Sequence, residues 1–581
     1  FSSALLQLID TCTTNLMKYP HDIAEISDDR VEDINRDRFY VSETVDDCCS
    51  LLGGNLVMQR LGILLHAECQ RLNGNFSDWQ GIESCLSCIQ TINKYVPNDE
   101  SQILPFCFDL IPRLPSNVEP LRFTASKFIG KYASWLAIHP HLLPPLLPYL
   151  AQGLSLPLCA PAAATSIKEL CERSNQQMEM GEPVLQLYNE ITSTVMSRSS
   201  GLKLKDELEI LEGVCRAVSR QIQDTHSDGS RFLKQLVDPI GGRFTAKMSD
   251  LNADARSDII PEIDRLTIIV RYLVIPSPPN GSSPIIEAIQ AMWPLLISAS
   301  NRFPKDSALA EKICRLHKHA IRTIGPVSYI PLLKPLMEQL IRNFERSRQS
   351  AYLYAASICV KEFGRNPDYV MNIFQMVNAM ATVSFSFLTD LNSMTLHPDI
   401  VEELFYLMGR VMSTCPTPLV LSPLLVSLFK CAEVGMQLDH RDANKGTLNF
   451  LENSMSYFLS LRQNQNEGGN IDCQRSLEQI LVSEGQILVN NLAHALMGEL
   501  PAYSVDGGHG SIAGILYKFY QLSPSMASSW LERAISNAPE GPRMEVLAAL
   551  DSSLPRDEFY LAIAAFRSAC MRERRFSVRR S

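Results

Sequence analysis

Segments with the periodicity of amphipathic helices recur along this chain at nearly constant intervals. Their apolar residues fall at three- and four-residue steps, as between Val118 and Ile138, whereas alternating strand patterns and hairpin turns between them are essentially absent. Because a single helix pair cannot bury its apolar face, this pattern predicts an all-α, HEAT- or armadillo-like α-solenoid superhelix with a concave inner surface. Candidate first helices begin about every 40–50 residues, near Trp79, Val118, Leu158, Leu202, Asp254, Lys305, Gln349, His397 and Asp439.

The polar segments between these helices are short. We interpret the acidic run Asp22–Asp37, the proline-rich segment Pro276–Pro284 and the polar segment Gln463–Asp472 as loops, none long enough to separate independent domains. We therefore predict one continuous solenoid over residues 1–576 and a basic, disordered tail over residues 577–581. Because the chain begins with Phe1 and not with methionine, we expect it to be part of a longer protein.

Composition excludes several classes of protein. A formal net charge of -10 argues against a general nucleic-acid coat, so we expect no direct DNA binding. The uncharged stretch from Tyr132 to Ile167 is long enough to cross a bilayer, but its six prolines break it into short helices, so we expect no direct membrane binding either. The sixteen cysteines are scattered through apolar helical patterns, which is typical of buried thiols in a reducing compartment.

Three short motifs resemble catalytic or metal-binding sequences but lack the other residues that such sites need. Cys85 and Cys88 are not followed by a second pair at a zinc spacing. His440-Arg441-Asp442 echoes a kinase catalytic loop without its phosphate-binding loop, and the glycines from Gly507 to Gly510 lack a following lysine. We therefore predict a protein that is not an enzyme and that has no metal site and no cofactor.

One basic helix is a candidate binding site. Lys312, Arg315, His319 and Arg322 follow one another at steps of three and four residues, which places them on one helix face, and Lys318 flanks them. Taken alone, the pattern is more typical of a solvated outer face, with long cationic side chains covering apolar surface. It also fits an anion-binding strip, since arginine grips phosphate with two hydrogen bonds at once.

The acidic run contains a second candidate site. Asp28, Asp29, Glu32 and Asp33 are candidates to contact arginines of a basic partner or to stabilise a nearby helix start. The alternative is a solvated loop with no binding role.

Several segments resemble one known family. Leu438–Asn444, after His397–Glu403, resembles late repeats of transportin-SR, and Ile129–Pro140 resembles a repeat that transportin-SR shares with importin-13. Phe39–Asp47 and Trp293–Leu296 fit the same branch. From their shared order, the chain is identified as a member of the transportin-SR branch of the importin-β (karyopherin-β) superfamily. The matches run to about Asn453 and are thin beyond it.

The resemblance implies a nuclear import receptor that shuttles between nucleus and cytoplasm. Its implied partners are arginine/serine-rich RNA-binding or splicing proteins, often phosphorylated, together with nucleoporins and the GTP form of the Ran GTPase, which releases the cargo. The arginine-rich cargo helix of the family aligns with Lys305–Gly325 here. Arg315 and Arg322 match arginines of that helix, Lys312 keeps the charge and Lys318 replaces an arginine, whereas Pro304, Ala308 and Leu316 are neutral.

The resemblance also limits what can be placed on this chain. The family's amino-terminal repeats, which hold most of the Ran contacts, have no counterpart here, so no Ran site is assigned. The alternative to a transport receptor is a non-transport HEAT-repeat scaffold, or a regulatory subunit that assembles other proteins.

Overall fold

The computed structural model describes residues 2–197, 202–225, 229–250, 255–277, 282–463, 471–505, 509–551 and 555–578. Within these ranges the chain forms 28 α-helices and no β-strand, which confirms the predicted all-α class. One short π-helix and five 3-10 helices complete the elements, namely Cys12–Leu16, Ile23–Glu25, Phe76–Asp78, Asn93–Tyr95, Ile111–Arg113 and Pro140–Leu142.

The chain divides into two compact units. Unit 1 comprises Phe1–Phe244 and Pro261–Ala288, and unit 2 comprises Thr245–Ile260 and Ile289–Ser581. Unit 1 contains α1 Ser2–Thr11, α2 Asp28–Leu52, α3 Gly54–Leu72, α4 Gln80–Thr91, α5 Ile103–Leu110, α6 Glu119–Lys131, α7 Ala133–Leu136, α8 Leu146–Gly153, α9 Ala160–Arg173, α10 Gly181–Ser197 and α11 Leu204–Thr225.

Three helices contribute residues to both units: α12 Ser230–Ser249, α13 Ala255–Tyr272 and α14 Pro284–Arg302. Unit 2 contains α15 Ser307–Ile324, α16 Pro326–Ser347, α17 Ser350–Phe363, α18 Val370–Phe385, α19 Leu391–Leu396, α20 Pro398–Thr414, α21 Pro416–Val420, α22 Leu424–Gly435, α23 Arg441–Gln463, α24 Ile471–Leu496, α25 Ile512–Leu522, α26 Pro524–Ala534, α27 Glu540–Asp551 and α28 Arg556–Val578.

The predicted first helices exist and begin within two residues of their expected positions. They are α4, α6, α9, α11, α13, α15, α17, α20 and α23. In unit 1, α4, α6, α9 and α11 pack on one another in sequence, and in unit 2 α15, α17, α20, α23 and α25 do the same. These sequences of packed helices form one row in each unit. A second row in unit 2 has its own contacts: α16 packs on α18, α22 packs on α24, and α24 packs on α26. Each unit therefore has the stacked-pair packing of a HEAT-repeat solenoid. Continuity over residues 1–576 stays a prediction.

Proline and glycine fix where successive helices end and begin. The first residues of α16, α20 and α21 are Pro326, Pro398 and Pro416. At the first position of a helix the backbone amide has no acceptor within the helix, so the amide hydrogen that proline lacks costs no hydrogen bond. Between α15 and α16 the chain turns at Gly325, which has a φ of 87° that side-chain-bearing residues rarely adopt. These three prolines and Gly325 thus lie at joints between successive helices.

The acidic run was wrongly predicted to be a loop. Helix α2 begins at Asp28 and continues to Leu52, so most of the run is helical. Ser27 stands before the first turn, and Asp28 and Asp29 lie within it, where negative charge is favoured by the helix dipole. The helix is anchored at Arg38, which is 7% exposed and forms a 2.6 Å ion pair with the fully buried Glu83 of α4.

The other predicted loops and the tail are partly described. Residues 273–277 and 282–283 are not helical, in agreement with a loop before Pro284. Residues 464–470 of the polar segment lie outside the described residues. Helix α28 extends to Val578, two residues into the segment 577–581 predicted as disordered, and the remaining three residues lie outside the described ones. Over those three residues the tail stays a prediction.

All sixteen cysteines are free thiols, and all but Cys69 are buried. Burial raises the pKa of the Cys88 thiol to about 12, and that of Cys359 likewise, so these sulfurs stay protonated and unreactive at neutral pH. In the described part of the chain, no helix is both long and apolar enough to cross a membrane.

Candidate functional site

Helix α15 is held at both ends by local hydrogen bonds. The Asp306 side chain accepts from the Leu309 amide at 3.0 Å, and the Gly325 amide donates to the Ile321 carbonyl at 3.1 Å. Between these caps, eight residues are buried: Leu309, Ala310, Ile313, Cys314, Leu316, His317, Ala320 and Ile321. So wide a buried face leaves only a narrow stripe of α15 for solvent.

The predicted cations border or occupy this stripe. Arg315 and Arg322 are exposed, whereas Lys312, Lys318 and His319 are half-buried at its edges. Within the described residues, neither Arg315 nor Arg322 forms a hydrogen bond or an ion pair. Seven residues of helix separate them by about 10 Å, the length of roughly three residues of extended peptide. The two guanidinium groups are therefore open to separate anionic groups on one bound segment.

Lys318 is positioned by the next helix in the row. Its Nζ donates to the Tyr354 hydroxyl of α17 at 3.3 Å and lies 5.4 Å from the centroid of that ring. This contact holds the lysine at the junction of α15 and α17. The sequence does not indicate Tyr354, because the two residues are 36 positions apart and only the stacking of helix pairs brings them together.

His317 has a structural role. It is 2% exposed, its Nδ1 lies 2.9 Å from the Tyr329 hydroxyl, and its ring packs against Trp293 with centroids 4.9 Å apart. Burial lowers the pKa of His317 to about 4, so the ring is neutral at physiological pH. His317 therefore adds no charge to the strip beside it.

The four predicted acidic residues lie on the first two turns of α2, in unit 1. Asp28 and Glu32 are exposed on the helix face that continues through Asn35. Asp33 is engaged by Arg36 at 2.5 Å and Arg30 at 4.0 Å, which leaves it less available than the others. Asp29 is exposed as well, whereas Asp33 is half-buried.

Neutralising Asp28, Asp29, Glu32 and Asp33 with asparagine or glutamine should weaken binding of a labelled arginine-rich peptide by about two- to fivefold at low salt. The loss should shrink at high salt, because exposed charges are screened there. Fluorescence anisotropy at two salt concentrations measures both. Equal affinity of wild type and variant at both concentrations would remove these residues from any binding role.

Acidic side chains also cluster on α20, in the same row as α15. Burial, and then the neighbouring Glu402 carboxylate, raise the pKa of Glu403 to about 7, while Arg410 opposes the shift. The folded state therefore holds a proton that the unfolded chain releases near the usual value of 4.5. Protonation of Glu403 therefore stabilises the folded state fully below pH 4.5, and this stabilisation is lost as the pH rises through 7.

Glu403→Gln should remove this pH dependence, since glutamine resembles the protonated carboxyl at every pH. Between about pH 5 and 8, we expect the wild type to lose about 2–3 kcal/mol more free energy of unfolding than the variant. Urea unfolding across this range measures the difference. Glu338→Gln, at an exposed position of α16, is the control and should leave the wild-type slope unchanged.

Of the short motifs that resemble catalytic or metal-binding sequences, the pair Cys85 and Cys88 is buried in α4. No three histidine, cysteine or acidic side chains come together as metal ligands in this part of the chain. His440, from the kinase-like motif, accepts a hydrogen bond from the Ala443 amide at 3.3 Å and so helps begin α23. Of the predicted glycine motif, Gly507 and Gly508 lie outside the described residues.

Comparison with known proteins identifies similar chains. Residues 283–388, which include α15, match the model described as Transportin-3/Importin-13 fourth TPR domain, and residues 101–187 match the third. The chain is 25% identical to Transportin MOS14 of Arabidopsis thaliana, over 90% of its own length and 53% of that protein's. It is 21% identical to Importin-13 of Rattus norvegicus, over 88% and 52% respectively. The chain thus spans about half the length of the curated relatives it matches.

Solved structures show the same fold. Importin13 in its cytosolic state superposes with a TM-score of 0.80 at 16% identity, covering 98% of this chain and 64% of that one. A crystal structure of importin beta gives a TM-score of 0.51 at 13% identity. At these identities the likeness extends to the fold alone.

Proposed function

We propose that this chain, a member of the importin-β superfamily related to importin-13 and transportin, is part of a nuclear import receptor for arginine/serine-rich proteins. The observation that carries the proposal is the pair of exposed arginines, Arg315 and Arg322, which have no partner among the described residues. Phosphoserines of an arginine/serine-rich segment supply the anions that such a pair binds best.

The chemistry of the strip suits phosphate in particular. A phosphoserine carries roughly -1.5 to -2 charges and three acceptor oxygens, and an arginine engages two of those oxygens in one plane. Lys318, held beside Tyr354, adds a point charge at the edge of the strip. Arginines of the same cargo then meet acidic side chains elsewhere, for which Asp28, Asp29, Glu32 and Asp33 are our candidates.

The proposal also includes how the cargo is transported and released. The whole receptor shuttles between cytoplasm and nucleus, contacts nucleoporins during this passage, and releases its cargo when Ran-GTP binds. Two of the proteins that it matches are named Transportin MOS14 and Importin-13, which supports a carrier in preference to an enzyme.

A release experiment tests this function. The protein in its full natural length is immobilised with a phosphorylated arginine/serine-rich protein, and Ran loaded with a non-hydrolysable GTP analogue is added. We expect the cargo to elute with Ran-GTP and to stay bound with Ran-GDP. Cargo that stays bound in both cases would instead favour the alternative, a HEAT-repeat scaffold that does not respond to Ran.

A further inference from the structure

A small cavity in unit 1 is lined by three basic side chains. It has a volume of about 250 Å³ and lies between α6 and α9, beside Asn93. Lys127 and Lys131 of α6 and Arg173 of α9 line it, and all three are exposed, so a ligand can reach the cavity from solvent. The volume is many times what one water molecule needs, which leaves room for a small ligand.

Close packing of α6 on α9 fixes the backbone around this cavity. Gly130 lies between the two lysines, and a Cβ atom there would lie 2.6 Å from the Ser166 Oγ of α9, so glycine permits the close approach. The Ser166 hydroxyl donates to the Ser126 carbonyl of α6 at 2.6 Å, and the Asn93 side chain donates to the Lys131 carbonyl at 3.2 Å. The backbone that carries the cations is therefore held in place.

The three cations have no anionic partner in the part of the chain that the structure describes. There, none of their side chains forms an ion pair or a hydrogen bond. Glu169 lines the same cavity, but it forms no ion pair within these residues either. The Thr165 hydroxyl, also in the lining, donates to the Glu209 carboxylate at 2.8 Å. The lining thus carries three cations against one carboxylate.

The electrostatics of this cavity favour an added anion. Lys127 and Lys131 are one helical turn apart, a spacing at which like charges repel each other. Desolvation, and then repulsion from Lys131 and Arg38, lowers the pKa of the Lys127 amine. Lys131 and Arg173 lie in the last turns of α6 and α9, where the helix dipole favours cations and offsets part of this repulsion. An anion among the three side chains would relieve the rest.

We propose that this cavity binds a phosphate group. A phosphate monoester carries roughly -1.5 to -2 charges and three acceptor oxygens, so it suits three cations better than a carboxylate does. Arg173 can engage two of those oxygens, while each lysine contributes a point charge. The Ser134 hydroxyl, which also lines the cavity, adds a hydrogen-bond donor.

Two sources can supply this chemistry, a phosphorylated side chain of a partner protein and the free phosphate ion, and the test separates them. The proposal does not rest on the proposed function, because α15 belongs to unit 2 and none of its residues lines the cavity.

The test measures binding of a labelled peptide that has one phosphoserine among glycines and alanines, by fluorescence anisotropy. Because α15 is itself a candidate phosphoserine site, every measurement uses the chain in which Arg315→Glu and Arg322→Glu have removed that site. The same peptide with plain serine or with glutamate provides the comparison. We expect the phosphorylated form to bind at least about tenfold more tightly than the plain one, and more tightly than the glutamate form.

Two double variants in this background locate the binding. Lys131→Gln with Arg173→Gln should lower the affinity for the phosphorylated peptide at least about tenfold. Lys205→Gln with Lys234→Gln is the matched control, because it removes the same charge at exposed positions of unit 1 outside the cavity, and it should leave the affinity unchanged. Both variants should unfold at the temperature of the parent chain, since all four side chains are exposed.

Inorganic phosphate, used as a competitor, identifies the source of the phosphate group. Equal affinity of the ion and the unlabelled phosphopeptide assigns the cavity to the free ion, whereas tighter binding of the peptide assigns it to a phosphorylated protein. An amine-acylating reagent gives a second readout by mass spectrometry. Phosphate should slow the acylation of Lys127 severalfold relative to chloride at equal ionic strength, and it should leave Lys205 unaffected.

Three outcomes would overturn the proposal. The first is equal binding of the phosphorylated and plain peptides, and the second is a glutamate peptide that binds as tightly as the phosphorylated one. The third is an equal loss of affinity in the two double variants. Any of them would mean that the three cations serve only the ends of α6 and α9 and the net charge. Because the α15 arginines are absent and Ran-GTP is not involved, none of these outcomes bears on the proposed function.

Discussion

Replacing Glu83 with alanine should lower the free energy of unfolding by about 3–5 kcal/mol. Glu83 is fully buried, and its Oε1 accepts from both Arg38 and Thr124 at 2.6 Å. Arg38 also donates to the Met17 carbonyl and lies 3.8 Å from the centroid of the Tyr19 ring. Removing the carboxylate leaves a guanidinium group buried without an anion, which costs far more than a lost surface contact.

A surface ion pair in the same unit provides the control. Glu182 pairs with Arg231 at 2.7 Å, but the two side chains are 50% and 62% exposed, so Glu182→Ala should cost only about 0.2–1 kcal/mol. Replacing both members of the buried pair, as Arg38→Met with Glu83→Leu, should recover most of the loss. Urea unfolding measures all three variants, and a Glu83 variant no less stable than the Glu182 variant would contradict the prediction.

Reversing Arg315 and Arg322 to glutamate should remove the gain in affinity that phosphorylation gives an arginine/serine-rich peptide. Charge-assisted hydrogen bonds are each worth about 1.5–3 kcal/mol, so losing both arginines should cost about a hundredfold in affinity for the phosphorylated form. The helix should stay folded, because both side chains are exposed on the face opposite its buried residues.

A second double variant separates this site from general electrostatics. Lys334→Glu with Arg342→Glu changes the net charge by the same amount, and both positions are exposed on α16. Since neither lies on α15, this variant should keep the phosphorylation gain. An equal loss in the two double variants would mean that only the overall charge of the protein matters.

The sequence predicts the fold well because stacked helix pairs repeat a local pattern. The apolar stripe of α15, its Asp306 cap and the turn at Gly325 are all encoded within about twenty residues. Such local signals predict where helices begin, even when the packing of one helix pair on the next is unknown.

Local sequence signals do not predict the first turns of helix α2. Its first turns contain many charged residues and show little apolar periodicity, so the local pattern predicts a loop. Two interactions favour the helix instead: carboxylates near its positive end, and the Arg38–Glu83 pair, whose members are 45 residues apart. The second is a tertiary contact, which no window of sequence contains.

The α15 strip, by contrast, is predictable from the sequence, because one helix carries all of its cations.

The affinity of the wild type for three versions of one arginine/serine-rich peptide tests the central claim most directly. The serines are left plain, replaced by glutamate or phosphorylated, and binding is followed by fluorescence anisotropy at two salt concentrations. If α15 recognises phosphate, the phosphorylated peptide binds tightest, glutamate recovers only part of the gain, and all affinities fall as salt increases. If the plain peptide binds as tightly as the phosphorylated one, the strip is an ordinary solvated face and cargo recognition lies elsewhere.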